Sequence, residues 1–169
     1  MSAPKNLEDC LVHELKDNWS ANDQMRRILV DMAHAASDAK LKERLQETID
    51  GIPDNNDVIE NILSDMGQSG KEHCKGMEGL VAEAKKHAID ADISDTDVRD
   101  VIIVAQYQRM AHYGICGFGT AKAFAEALGK SDVAAKLDEL TASIYRADEN
   151  MTDLAERSVN LQAKQGADA

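Results

Sequence analysis

Apolar residues recur along this chain at steps of three and four, the period of one face of an α-helix. Leu7, Leu11, Leu15, Trp19, Met25, Ile28 and Met32 predict a first helix over about residues 5–35. Asn22 falls on the same stripe at mid-height, as either a core amide with a partner or the remnant of a site. Ala35-Ala36-Ser37-Asp38 breaks the pattern, and Ser37 is the expected N-cap of the next helix. Leu41, Leu45, Ile49, Ile52, Ile59, Ile62 and Met66 predict that helix over about 38–66. Gly51 and Pro53 lie in its middle. Proline lacks a backbone donor and its ring clashes with the preceding turn, so a kink or a bulge is expected, with two shorter helices as the alternative.

Gly67-Gln68-Ser69-Gly70 marks a loop. Met77, Leu80, Val81 and Ala84 predict a short helix over about 75–90, and Asp92 to Asp97 a second break. A long helix over about 96–128 should end at Gly129, in the position that favours left-handed backbone. Ser131 then caps a last helix carrying Val133, Leu137, Leu140, Ile144, Met151, Leu154 and Val159, to about 162. One domain over 1–164 and a flexible tail over 165–169 are expected. The first and last connections are tight, so each joins an antiparallel hairpin. The middle connection is long enough to return along the bundle. Two hairpins joined by one long crossover make an all-α, ferritin-like four-helix bundle.

Composition narrows the functional classes. The chain has 169 residues, enough to bury a core without disulfides. Its apolar runs are too short for a bilayer, and Met1-Ser2-Ala3-Pro4-Lys5 lacks the apolar segment of a signal peptide, so a cytoplasmic protein without a membrane partner is expected. A formal net charge of −12 repels phosphate backbones and argues against nucleic acid. Cys10, Cys74 and Cys116 have no CxxC spacing and read as buried or half-buried thiols in a reducing compartment. No nucleophile motif, phosphate-binding glycine loop or zinc spacing occurs.

Several short pieces, in their order and spacing, resemble the YciE/YciF-like family of bacterial stress-associated, ferritin-like proteins. They are Asn6-Leu-Glu-Asp9, Leu15-Lys-Asp17 and Ser20-Ala21, then Cys74-Lys-Gly-Met-Glu-Gly-Leu-Val-Ala-Glu83. Asp97-Val-Arg-Asp100, His112-Tyr113, Gly119-Thr120, Ala127-Leu-Gly129, Ala135-Lys-Leu137 and Thr152-Asp-Leu-Ala155 follow, so the likeness covers about residues 6–160. It implies a four-helix bundle, commonly a homodimer, with a di-iron-type site in many members. Such a site needs carboxylate and imidazole donors from all four helices at one height.

Carried over onto this chain, the family's ligand positions have mostly lost their donors. The first-helix glutamate becomes Asn22, and the Glu-x-x-His of the second helix falls on Asp50 and Pro53. The glutamates flanking His-Tyr become Ala111 and Gly114. In the last helix a glutamate pair becomes Ser143 and Ile144, while Asp148 keeps an aspartate. Only Asp50, Asp148 and the nearby His112 remain as candidates for a metal. Two carboxylates cannot neutralise two divalent cations, and unpaired buried glutamates are costly, so the substitutions read as a repaired, metal-free core. The expected function is a non-enzymatic, stress-associated structural or interaction protein, a homodimer with no cofactor and an unnamed protein partner. The alternative is a ferroxidase or peroxide-handling enzyme that holds an iron or manganese pair on Asp50, Asp54, Asp57, Asp148, Glu149 and His112.

Other residues carry blander expectations. His13, His34, His73 and His87 form no pair on one helix face. His112, one turn after Gln108 and one before Cys116, reads as a hydrogen-bonded core or interface histidine. Tyr107, Tyr113 and Tyr145 should bury their rings and hydrogen-bond their hydroxyls. Asp54-Asn-Asn-Asp57 reads as a solvated helix face. Gly114, Gly117 and Gly119 predict a close backbone approach, to the last helix or to a second subunit.

Overall fold

The computed structural model describes residues 3–166. Asn6 opens helix α1 (Leu7–Ala35) by accepting a hydrogen bond from the Asp9 amide. Helices α2 (Ala39–Asp65), α3 (Lys75–Ala84), α4 (Thr96–Ala127), α5 (Ser131–Leu154) and α6 (Asn160–Gly166) follow. Single π-helical turns, Lys85–Ile89 and Ala155–Val159, extend α3 and join α5 to α6. Helix α6 carries regular structure through Gln165 and Gly166, past the expected start of the tail; residues 167–169 lie outside the described residues.

Two caps differ from expectation. Asp38 rather than Ser37 caps α2, its Oδ1 accepting from the amides of Lys40 and Leu41. Ser37 is claimed by Asp100 of α4 instead. Asp100 accepts from Ser37 N at 2.8 Å, Ser37 Oγ at 2.6 Å and Asp38 N at 2.8 Å. Ser131 is the first helical residue of α5 and makes no capping bond from its side chain. The end of α4 follows expectation: Gly129 has φ +71°, and the Lys130 amide reaches back to Ala125 O at 2.9 Å.

Pro53 makes no bulge and does not divide α2 into two helices; the helix is continuous across it. Proline at 53 withholds the donor that the Ile49 carbonyl would otherwise receive. Arg26 of α1 supplies it, Nε donating to Ile49 O at 3.2 Å. A neighbouring helix thus repairs the missing bond.

Helix α1 packs against α2 and α4, α5 packs against α4 and α2, and α3 lies across α1 and α4. Tight turns, Ala36–Asp38 and Leu128–Lys130, make α1–α2 and α4–α5 antiparallel hairpins, and residues 66–95 form the crossover. The architecture is an all-α, ferritin-like bundle. Arg99, beside Asp100 in sequence, clasps the crossover: its Nη1 donates to Ala88 O at 2.7 Å and its Nη2 to Ile93 O at 3.0 Å. Two of the three charged residues of the Asp97–Asp100 piece, Arg99 and Asp100, therefore hold connections in place. No helix among the described residues is long and apolar enough to cross a membrane.

The apolar core falls into two clusters. One surrounds Met32, Leu41, Ile103 and Tyr107; the other surrounds Leu11, Ile62, Phe118 and Leu137. Between them lies a polar layer containing Asn18, Asn22 and Asn56, all buried. The three α4 glycines divide, and only Gly114 meets the last helix as expected. Gly114 is in contact with Ile144 of α5, while nothing lies within 4 Å of a Cβ built at Gly119. Gly117 admits Asn18 of α1, a helix not considered from sequence, and an added Cβ would overlap the Asn18 amide. Asn18 is 1% exposed, and neither of its amide atoms has a partner among the described residues. Gly117→Ala should therefore cost about 2 kcal/mol by overpacking. In an Asn18→Ala background most of that cost should vanish. A double-mutant cycle in urea reads the coupling, and additive effects of the two substitutions would contradict the contact.

Candidate functional site

A cavity of about 390 Å3 lies at the level of the polar layer, among all four long helices. Helix α1 contributes Ala21, Asn22 and Met25 to its wall, and α2 contributes Thr48, Gly51 and Ile52. Tyr107, Met110, Ala111 and Gly114 come from α4, Ser143, Ile144 and Ala147 from α5, and Met77 from α3. The exposed lining residues Glu47, Asp54, Arg146 and Asn150 belong to α2 and α5, so the cavity opens between these helices.

Five of the positions singled out from sequence meet here: Asn22, Ala111, Gly114, Ser143 and Ile144. Asp50 and Pro53 do not. The inward stripe of α2 runs through Ile49, Ile52 and Asn56, and a residue one position off that stripe turns by about 100°. Asp50 is exposed and accepts a hydrogen bond from Gln46, and Pro53 is exposed. One residue further along, Gly51 and Asp54 line the cavity, which corrects the register in α2. Asp148 is also elsewhere. It is buried where α4 meets α5, bonded to Gln108 Nε2 at 3.2 Å and His112 Nε2 at 3.0 Å, with the His112 side chain 60% exposed. His112 is thus hydrogen-bonded but not a core residue. The exposed Asp57 and Glu149 share no site with it.

The buried polar groups around the cavity are neutral, and its charged lining residues, Arg44, Glu47, Asp54 and Arg146, stand at the mouth. Asn22 Nδ2 donates to Asn56 Oδ1 at 2.9 Å, and Asn56 Nδ2 reaches Trp19 O at 3.4 Å. Asn56 escaped the sequence reading because it sits in an acidic stretch. Its signal was its place four residues after Ile52 and three before Ile59. Thr48 Oγ1 and Tyr107 Oη lie 3.2 Å apart, and burial pushes the Tyr107 hydroxyl above its ordinary value despite that bond. Of the two lining carboxylates, Glu47 receives Arg44 Nη1 at 3.1 and 2.8 Å on its two oxygens, and Asp54 is exposed. A pair of divalent cations requires bridging carboxylates and imidazoles from several helices. This donor set does not fit one. Among the described residues no three His, Cys, Asp or Glu side chains group to hold a metal ion.

A second polar cluster joins α1, α3 and α4. Cys74 is fully buried at the start of α3, its Sγ 3.0 Å from Tyr113 Oη and 3.1 Å from Asp17 Oδ2. Tyr113 Oη donates to the same Asp17 oxygen at 2.9 Å. Gly76 makes room for this tyrosine, since an added Cβ would stand 2.7 Å from its ring. Burial pushes the Cys74 thiol up, with the Tyr113 hydroxyl pulling it back. Burial, followed by the bonds to Cys74 and Asp17, pushes Tyr113 far above the ordinary tyrosine range. Both groups keep their protons at neutral pH, so the cluster ties the crossover to the bundle and is no nucleophile. The other thiols divide: Cys10 is half-buried, but Cys116 is exposed, contrary to expectation. Tyr145 is likewise 49% exposed rather than buried, and Trp19 is only half-buried, with Lys71 Nζ 3.4 Å from its ring centroid.

Known proteins share this fold nearly end to end. Protein YciF of Escherichia coli K12 is 34% identical over 167 residues, covering 96% of this chain and 98% of that protein. The crystal structure of the E. coli stress protein YciF matches with a TM-score of 0.87 at 31% identity, over 93% of this chain and 99% of that one. A YcfI structure from Rhodopseudomonas palustris matches with a TM-score of 0.83 at 28% identity, over 88% of this chain and 94% of that one. Residues 6–164 match the family described as a domain of unknown function, DUF892. With that match over almost its whole length and a full-length YciF relative, the chain belongs to the DUF892 family of YciF-like proteins.

Proposed function

We propose that this protein is a metal-free, non-enzymatic member of the YciF-like family, a cytoplasmic structural or interaction module that works as a homodimer in the stress response. One observation carries the metal-free reading: in the layer where a di-metal centre would sit, Asn22, Gly51, Ala111, Gly114, Ser143 and Ile144 carry no negative charge, and the two lining carboxylates stand exposed at the mouth, Glu47 bound to Arg44 and Asp54 alone on its side. Keeping glutamates there without cations would bury like charges, and small or neutral side chains remove that penalty. The stress role rests on the relative described as a stress protein, and the structural role on the neighbour provisionally described as a structural protein.

Metal analysis tests the reading. Protein incubated with excess iron(II) in air and then desalted should retain well under one iron per chain and consume no oxygen beyond the buffer blank. Two irons per chain with coupled oxygen uptake would replace this reading with a ferroxidase.

A further inference from the structure

The cavity of about 390 Å3 is open at one side and falls within the size range of small-molecule pockets. An engineered void of about 150 Å3 already takes up benzene. The walls here are apolar and adaptable. Met25, Met77 and Met110 come from three different helices, and thioether side chains reshape themselves around a guest. Small residues keep the space open, so the cavity is not blocked by its own lining.

The mouth adds chemistry to that shape. In a chain of net charge −12, two guanidinium groups, Arg44 and Arg146, stand at the opening between α2 and α5 beside two carboxylates, Glu47 and Asp54. Arg44 is committed to Glu47. Among the described residues the arginine ion pairs are those of Arg27, Arg44 and Arg157, so Arg146 has no carboxylate. Asn150, one turn beyond Arg146, also lines the opening.

We propose that the cavity binds a small apolar carboxylate, with its hydrocarbon body among Met25, Met77, Met110 and Ile144 and its carboxylate at Arg146. This assignment rests on the metal-free reading of the same site, since a di-metal centre would occupy the space. The volume is within the range of pockets that take small organic ligands, so decanoate, a short apolar chain ending in a carboxylate, is a fitting probe.

Calorimetric titration with decanoate below its micelle concentration, beside the uncharged decanol, tests the assignment. Decanoate should bind wild-type protein saturably at one site per chain. Arg146→Gln should weaken it about tenfold, the loss of one charge-assisted bond, and change decanol binding less than about twofold. Ala111→Phe should abolish uptake of both by filling the space. If that variant fails to fold, 13C-methyl methionine spectra of the wild type serve instead, where decanoate should shift Met25, Met77 and Met110. No decanoate binding, or binding that Arg146→Gln leaves intact, or unshifted methionines each overturn the proposal. Iron analysis of the same preparation separates the two readings. Metal-free protein that takes no decanoate defeats the cavity assignment alone, whereas two irons per chain defeat the metal-free reading beneath it.

Discussion

Replacing Asp100 with alanine should lower the unfolding free energy by about 3 kcal/mol, because three donors lose their acceptor at once. Asp100 is fully buried, and the Ser37 amide, the Ser37 hydroxyl and the Asp38 amide all point at it. Each such bond is worth about 1 kcal/mol net, and a donor stranded out of water costs more. Ser37 lies near solvent, so water recovers part of the loss and holds the total near that figure. In a chain of this length the melting temperature should fall by about 6–12 °C. Asp100→Asn keeps one acceptor oxygen but faces a donor with its own amide, so it should lose roughly half as much. Thermal unfolding followed by circular dichroism reads both. An Asp100→Ala protein that melts with the wild type would show that the α1–α2 turn needs no tie to α4.

Returning glutamate to the cavity should be nearly as harmful, and in a pH-dependent way. Asn22 and Ala111 line the same cavity at 8% and 3% exposure. The double variant Asn22→Glu, Ala111→Glu places two carboxyls among Met25, Ile52 and Ile144 with no cation between them. Desolvation and mutual repulsion raise their folded pKa values above the unfolded value of about 4.3. A group with a raised folded pKa favours the fold only while it is protonated in both states. The penalty is therefore absent below about pH 4 and grows by about 1.4 kcal/mol per pH unit for each group as pH rises towards the folded pKa. At pH 7 the pair should cost about 3–5 kcal/mol. Urea unfolding at pH 4 and pH 7 supplies the comparison. Equal destabilisation at both values would mean that the side chains fail by size rather than by charge.

Much of the fold was legible because helix period and connection length are local properties of the chain. The stripes of α1, α2, α4 and α5 and the left-handed Gly129 need only neighbours in sequence to declare themselves. What escaped depended on partners brought from afar. Ser37 looked like a cap until Asp100, 63 residues later, took its donors. Pro53 left open a division of α2 because nothing nearby revealed that Arg26 would bond the carbonyl it leaves unmet. The site shows the same division. Asn22, Ala111 and Ile144 line one layer as the family resemblance implied, whereas Asp50 and Pro53 missed it by one residue, a slip that swings a helical side chain through about a quarter turn. Asn56 showed only its place on the inward stripe of α2, and the bonding roles of Cys74 and Asp17 were hidden because each acquires its partner from a different helix.

The pair formed by Asn22 and Asn56 has a consequence for how the helices choose their axial alignment. Leucine and isoleucine surfaces are forgiving, and two such stripes can settle against each other at several offsets with similar energy. An amide on α1 that meets an amide on α2 at 2.9 Å singles out one of those offsets. Sliding one helix by a turn would set both amides against hydrocarbon, each short of a partner. A few buried polar atoms thus act as an indexing pin between the first two helices, contributing little to how tightly they hold but much to where they stop.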